Sequence, residues 1–258
     1  MDQSTDLRPS PGFSTLIACN GGVRLMQEDK LAELSETVAG WPRGQRSTLV
    51  TTLVRDLIVS GDIPPGSRIN ERVLTEALGI SRTPLREAFK ILEGEGLVSI
   101  RPNAGATVVV LSAQDVESSL EILIGLESIG AERAAERATE AMVDEIAALH
   151  AKMEAAFEAR ALMEYFHINQ DIHQKIIDAA QNPALSRVYA SESARIRRFR
   201  FAGNRDVNRW ARAVQEHAQI LDALRRREGA LLRELLRAHH LAGWKVARTA
   251  LESQPATS

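Results

Sequence analysis

Apolar residues recur at the helical period along most of this chain, and the places where they stop define its elements. From Ser47, the residues Leu49, Val50, Leu53, Val54, Leu57 and Ile58 share one helical face, and Gly61 closes that helix. Pro65-Gly66 then suits a type II turn, where glycine takes the positive φ most easily. Val73, Leu74, Ala77 and Leu78 mark a second, short helix with Asn70 as its N-cap and Gly79 as its stop. A third opens at Ser81 or Thr83, tolerates Pro84 in its first turn, and presents Leu85, Ala88, Phe89 and Leu92 to a core. Past Gly94 and Gly96, the run LVSIRPNAGATVVV reads as two β-branched strands about a turn at Asn103-Ala104-Gly105. Residues 46–111 are therefore expected to form a winged helix-turn-helix with a small β-hairpin wing.

Ser112-Ala-Gln-Asp115 has the form of a capping box, and from there the pattern is almost wholly helical. Helices are expected near 113–137, 140–159, 161–180, 183–202, 206–227 and 229–252, separated by short breaks such as Thr139, Gln181-Asn182-Pro183 and Gly203-Asn204. The fold class is thus mainly α, with the winged unit followed by an all-α bundle of about six to seven helices over 112–258. Residues 1–45 carry several breakers and few periodic apolar positions beyond Leu31, Leu34 and Val38, so they read as a flexible extension. Everything this fold requires lies beyond Met26, which makes that methionine a candidate start of translation.

The polar side of the third helix carries the first candidate chemistry. Arg82, Arg86 and Lys90 stand four residues apart in one exposed row, with Thr83 beside them and Arg72 at the start of the preceding helix. A helix of this form fits the major groove of double-stranded DNA, where arginine reads guanine and neighbouring cations meet phosphates. The wing tip offers Arg101, Asn103 and small residues such as Gly105 to phosphate or the minor groove, with a hairpin that merely covers the core as the equal alternative for each of them. A solvated charged face is the bland alternative, and the helix-turn-helix with its hairpin weighs against it. The formal net charge of −2 is neutral evidence, since a local basic row suffices for a DNA-reading module.

Cys19 is the single cysteine, so no intrachain disulfide can form. No stretch reaches the apolar length that spans a bilayer, and the start lacks the basic residues of a signal peptide, so no membrane partner and a cytoplasmic location are expected.

In the helical half, Asn169 and His173 lie four apart on one helix, with His217 and the pair His239-His240 further on. Three imidazoles and an amide oxygen make a reasonable set for a divalent ion such as Zn²⁺, Ni²⁺ or Mn²⁺ if the helices converge. Isolated helical histidines are more often surface or core residues.

The run ERVLTEALGISRTPLREAFKILEGEGLV resembles the helix-turn-helix of GntR-type bacterial transcription regulators, and SRTPLREA matches the FadR-like branch nearly letter for letter. The rest of the chain is similar to the FCD effector-binding domain of that branch. The resemblance implies a sequence-specific regulator, expected to be a repressor. It would bind a near-palindromic operator as a homodimer and answer a small organic acid held in the helical domain. It also implies a metal held at Asn169, His173, His217 and His239, with Asn169 replacing the commoner aspartate. Many relatives carry an arginine on the domain's first helix, four before the glutamate of an LE pair. Here that pair is Leu126-Glu127 and the position is Leu123. The cationic run IRRFRFAGNRDVNRWAR, with Arg195, Arg197, Arg198, Arg200, Arg205, Arg209 and Arg212, can supply a replacement, with Arg198 and Arg200 as candidate effector contacts, although most of these arginines are expected to be solvated or paired with acidic helices.

Two competing classes remain. A metal-dependent enzyme acting on small carboxylates would use three histidines and an open coordination position to activate water, but no general base stands at a spacing such as H-E-x-x-H, so the chain is not expected to be an enzyme. An architectural DNA binder would use the bundle to dimerise alone.

Overall fold

A computed structural model describes residues 18–19, 38, 40–42, 45–101 and 105–252. In chain order, the elements begin with β1 (Ala18–Cys19), α1 (Arg46–Ser60), β2 (Arg68–Ile69), α2 (Glu71–Leu78) and α3 (Arg82–Gly94). The wing follows as β3 (Val98–Arg101) and β4 (Gly105–Val108). Next come α4 (Ala113–Arg137), α5 (Glu140–Glu158), α6 (Leu162–Ala179), α7 (Pro183–Arg195), α8 (Arg197–Gly203), α9 (Val207–Arg225) and α10 (Gly229–Glu252).

Local chemistry sets most of these boundaries. The Asn70 side chain accepts from the Val73 amide at 3.2 Å, and Gly79 closes α2 at a φ of 61°. The Ser67 amide returns to the Pro64 carbonyl across a turn whose third residue, Gly66, has φ 74°. Ser112 and Asp115 form the reciprocal capping box that starts α4. The bundle comprises seven helices among the described residues, because the segment expected as one helix over 183–202 breaks at Ile196 into α7 and α8. The break fits what α8 must cover: Phe199 packs into the bundle, while Phe201, two positions on and nearly opposite, packs against Val59 of α1 and Phe166 of α6.

The sheet is antiparallel throughout in the order β1-β2-β4-β3, with Val98 opposite Val108 and Arg101 opposite Gly105. Strand β2 falls where only a turn was expected. Val38 and Trp41, from the stretch expected to be a flexible extension, pack against the first core with Val54, Leu74, Leu85 and Phe89. Met26, Leu31 and Leu34 lie outside the described residues. No helix among the described residues is long and apolar enough to cross a membrane.

The winged unit rests on the bundle through α1. Beside the Val59, Phe166 and Phe201 cluster, Arg55 makes a two-pronged pair with Glu95 at 2.8 and 2.6 Å, and Arg197 of α8 reaches the same carboxylate at 3.5 Å. His167 of α6 meets Asp56 at 3.1 Å, and Arg205 donates to the Ser60 carbonyl.

Candidate nucleic-acid interface and metal centre

Helix α3 buries Leu85, Ala88, Phe89 and Leu92 and leaves its other side to solvent. Arg82, Arg86 and Lys90 on that side line a groove of about 780 Å³ bounded by β2, the start of α2 and the wing. Arg72, Gly105 and Arg101 of the wing also line it, and so does Arg68, a cation that sequence reasoning did not select. Thr83 is exposed but does not line the groove, and Asn103 lies outside the described residues. Glu71 is the opposing acid, paired with Arg86 at 3.0 Å, while Arg72 pairs with Glu76 at 3.2 Å. Both pairs are exposed on the arginine side, so DNA phosphate can replace these partners at little cost. Arg68 could have been noticed from the sequence had the β2 strand been recognised, because alternation puts Arg68 and Ile69 on opposite faces.

In the bundle, four helices converge on a group of imidazoles. Asn169 and His173, one turn apart on α6, are buried beside His217 of α9 and His239 of α10. Ring centroids are 5.1 Å apart for His173 and His217, 5.2 Å for His173 and His239, and 4.7 Å for His217 and His239. One ligand nitrogen from each of these three histidines lies within 4.8 Å of the other two. Asn169 Oδ1, His173 Nε2 and both ring nitrogens of His217 are buried without a hydrogen-bond partner. Three imidazoles and an amide oxygen gathered in this way are a donor set that a divalent ion would satisfy.

Neighbouring carboxylates orient these ligands. Glu127 Oε1 sits 2.9 Å from His173 Nδ1 and accepts from the Tyr189 hydroxyl at 2.7 Å, while Oε2 meets His240 Nε2 at 2.6 Å. Glu216 holds His239 through Nδ1 at 2.7 Å. A second close trio, Glu127, His173 and His240, is already satisfied by these mutual hydrogen bonds, so it supports the first rather than competing with it. Burial pushes His173 down to about 3 against the pull of Glu127, and His239 down to about 4 against its hydrogen bond with Glu216. Burial, then the nearby His239 and His173, drive His217 well below its ordinary value. Burial works to raise Glu127, yet His240 and His173 outweigh it and hold the carboxylate well below the usual range. Neutral imidazoles beside ionised carboxylates are the protonation states that a divalent ion requires.

Against this group lies a cavity of about 40 Å³ lined by Asn169, Arg200, Arg209, His239 and His240, with apolar walls from Leu120, Ile196, Phe199 and Trp244. Arg200 donates to Gln170 at 2.7 Å and Ser193 at 2.8 Å, and its Nη2 is buried without a partner. Arg209, 2% exposed, spends Nη2 on Glu216 at 2.9 Å and the His239 carbonyl at 3.1 Å, leaving Nε and Nη1 unpartnered. Arg198 does not line this cavity. It lies over the Phe199 ring near Leu97 and Val109, between the two halves of the chain. Leu123 is fully buried among apolar neighbours. Arg209 carried a readable signal, since it shares with Ala213 and His217 the inner face of α9 at four-residue spacing.

A winged helix-turn-helix with a cationic groove, joined to a helical bundle that encloses a polar cavity, defines a DNA-binding transcription regulator with an effector-binding domain. The chain matches the bacterial regulatory proteins of the gntR family over residues 47–108 and the FCD domain over residues 118–242, and it belongs to the GntR family. It is 27% identical over 187 residues to the HTH-type transcriptional repressor RspR of Escherichia coli, covering 72% of this chain and 82% of that one. It is 34% identical over 143 residues to the Nta operon transcriptional regulator of Aminobacter aminovorans, covering 55% of this chain and 67% of that one. Among solved structures, E. coli McbR/YncC superposes with a TM-score of 0.69 at 20% identity, covering 80% of this chain and 98% of that one.

Proposed function

We propose that this regulator is a cytoplasmic homodimeric repressor, and that a small organic acid bound beside a divalent ion in the bundle releases it from its operator. The observation that carries this reading is the convergence of His173, His217 and His239, with His173 Nε2 and both ring nitrogens of His217 buried and unpartnered, near the Arg200 and Arg209 guanidinium groups. Asn169, His173, His217 and His239 would hold the ion, which would act as a Lewis acid toward a carboxylate oxygen. Glu127 and Glu216 fix the ring orientations, and Arg200 meets the same ligand. Arg198, at the seam between the halves, is better placed to answer their relative movement than to touch ligand.

On DNA, Arg82 and Arg86 would meet base edges, while Arg72, Thr83, Lys90 and the wing at Asn103 and Gly105 position the backbone. Two heads in a two-fold dimer would read half-sites about one helical turn apart. Ligand can lower operator affinity only by favouring one arrangement of the heads over the other.

The test has two measurements. Elemental analysis of purified protein should find close to one divalent ion per chain, and His217→Ala should abolish it. Footprinting should then show a protected near-palindrome whose protection is lost with an added small acid in the metal-loaded protein only. Metal-free protein with the same acid response, or turnover of the acid with no effect on protection, would refute the proposal.

A further inference from the structure

We infer that Glu71 is a specificity-determining residue of the DNA groove: its carboxylate orients Arg86 for guanine, accepts a hydrogen bond from the amino group of a neighbouring cytosine, and repels DNA that offers only phosphate. This rests on the reading of α3 as the helix that enters the major groove. Among the described residues that line the groove, Glu71 is the one acid, set against the six cations Arg68, Arg72, Arg82, Arg86, Lys90 and Arg101. Like charges repel, so this carboxylate weakens the attraction of the groove to every phosphate. Glu71 is also the first residue of α2, where an acid favours the helix dipole. Its side chain is nevertheless directed across to the next helix, with Oε2 3.0 Å from Arg86 Nε.

That contact suits base reading. Arginine grips guanine through two N–H groups at once, on O6 and N7. With Nε engaged by Glu71, the terminal Nη1 and Nη2 groups remain for guanine, and the carboxylate restricts the plane in which they lie. In the major groove a G·C pair presents two acceptors, N7 and O6, and beside them the cytosine N4–H donor. A guanidinium and a carboxylate held one hydrogen bond apart offer the complementary row, two donors followed by an acceptor. No other base pair shows two acceptors and then a donor in that order. At a G·C pair the contact can therefore loosen while each partner gains a base atom. At a phosphate only Arg86 gains, and Glu71 is left beside an anion.

The experiment is fluorescence anisotropy on the full-length protein with the footprinted operator, operators in which one G·C pair at a time is exchanged for A·T, and a scrambled duplex. Glu71→Gln and Glu71→Ala are compared with Glu87→Gln, which removes one charge from an exposed position of α3 outside the groove. Each Glu71 variant should bind the scrambled duplex about threefold more tightly and lose at least about fivefold of the preference for operator. In Glu71→Ala the penalty for exchanging one particular G·C pair should fall while the penalties at the others persist. Glu87→Gln should keep the operator preference. Urea unfolding identifies a variant that folds poorly, and Glu71→Gln, nearly the same in shape, carries the test should Glu71→Ala be that variant. An unchanged preference in a folded Glu71 variant, the same loss in Glu87→Gln, or a Glu71→Ala protein in which no G·C penalty falls would overturn the inference while the DNA-binding reading stands. Unsubstituted protein that prefers no duplex overturns both.

Discussion

Replacing Arg86 by alanine should separate base reading from general attraction to DNA. Its side chain is 63% exposed and contributes nothing to the core, so the free protein should keep its stability to within about 0.5 kcal/mol. In the free protein the guanidinium is paired with Glu71 at 3.0 Å, an exposed-side contact worth roughly 0–1 kcal/mol that DNA binding must loosen. A bidentate contact to guanine contributes about 1–3 kcal/mol, which exceeds that loss. Arg86→Ala should therefore weaken operator binding by roughly 5- to 150-fold. On a scrambled duplex it should remove only one phosphate-range charge.

Fluorescence anisotropy on both duplexes at two or more salt concentrations measures this directly. Lys90→Ala is the internal comparison: it should weaken both duplexes alike and lower the salt slope by about one unit. Glu71→Gln should strengthen binding to the scrambled duplex, because it frees Arg86 and removes an anion from the groove. If Arg86→Ala loses the same factor on operator and scrambled DNA, its base-reading role is wrong, and the cationic row serves phosphates only.

Other outcomes follow from the packing and the buried histidines. Gly203→Ala puts a Cβ 2.8 Å from the Gly243 carbonyl oxygen where α8 crosses α10, and backbone cannot swing aside, so urea unfolding should show a loss of about 1–3 kcal/mol. Glu95→Gln weakens the carboxylate that joins Arg55 to Arg197; it should cost about 1–3 kcal/mol in the same assay and reduce the ligand-dependent change in operator affinity. Metal-free protein should lose stability as pH falls from about 6.5 toward 4, because unfolded histidines take up protons there while buried His173 and His239 do not until about 3 and about 4. The slope is at most about 1.4 kcal/mol per pH unit for each histidine, and a flat profile in chemical denaturation over that range would contradict their burial as neutral groups.

Local rules made most of the helices legible. Asn70, Gly79, Ser112 and Thr139 are caps or stops whose chemistry is written within four residues, and the structure uses each of them so. Strand β2 was hidden because two residues carry no period; it exists through pairing with β4, about forty residues away. The break at Ile196 was hidden for a related reason, since Phe199 and Phe201 both look like core residues but serve two different surfaces. In the bundle the histidines could be named as a group, yet the roles of Glu127 and Arg209 depend on the distance between helices far apart in sequence. An arginine in a run of seven reveals its place only when a helical face is assigned to it.

The same helical faces connect the cavity to the DNA-binding unit. On α6, Phe166 and His167 touch Val59 and Asp56 of the winged unit, and within the next two turns come Asn169, Gln170 and His173. On α8, Arg197 reaches Glu95 and Phe201 covers Val59, with Arg200 between them turned to Gln170 and the cavity. Packed helices move as units, because their interdigitated side chains leave no room to absorb a shift one residue at a time. On the proposed function, an anion that drew Arg200 from Gln170 toward itself would load the short helix that carries both contacts to the head. For the regulator to respond, that load need favour one head position by only about 1–3 kcal/mol, the size of a single charge-assisted hydrogen bond and of a typical coupling free energy between sites.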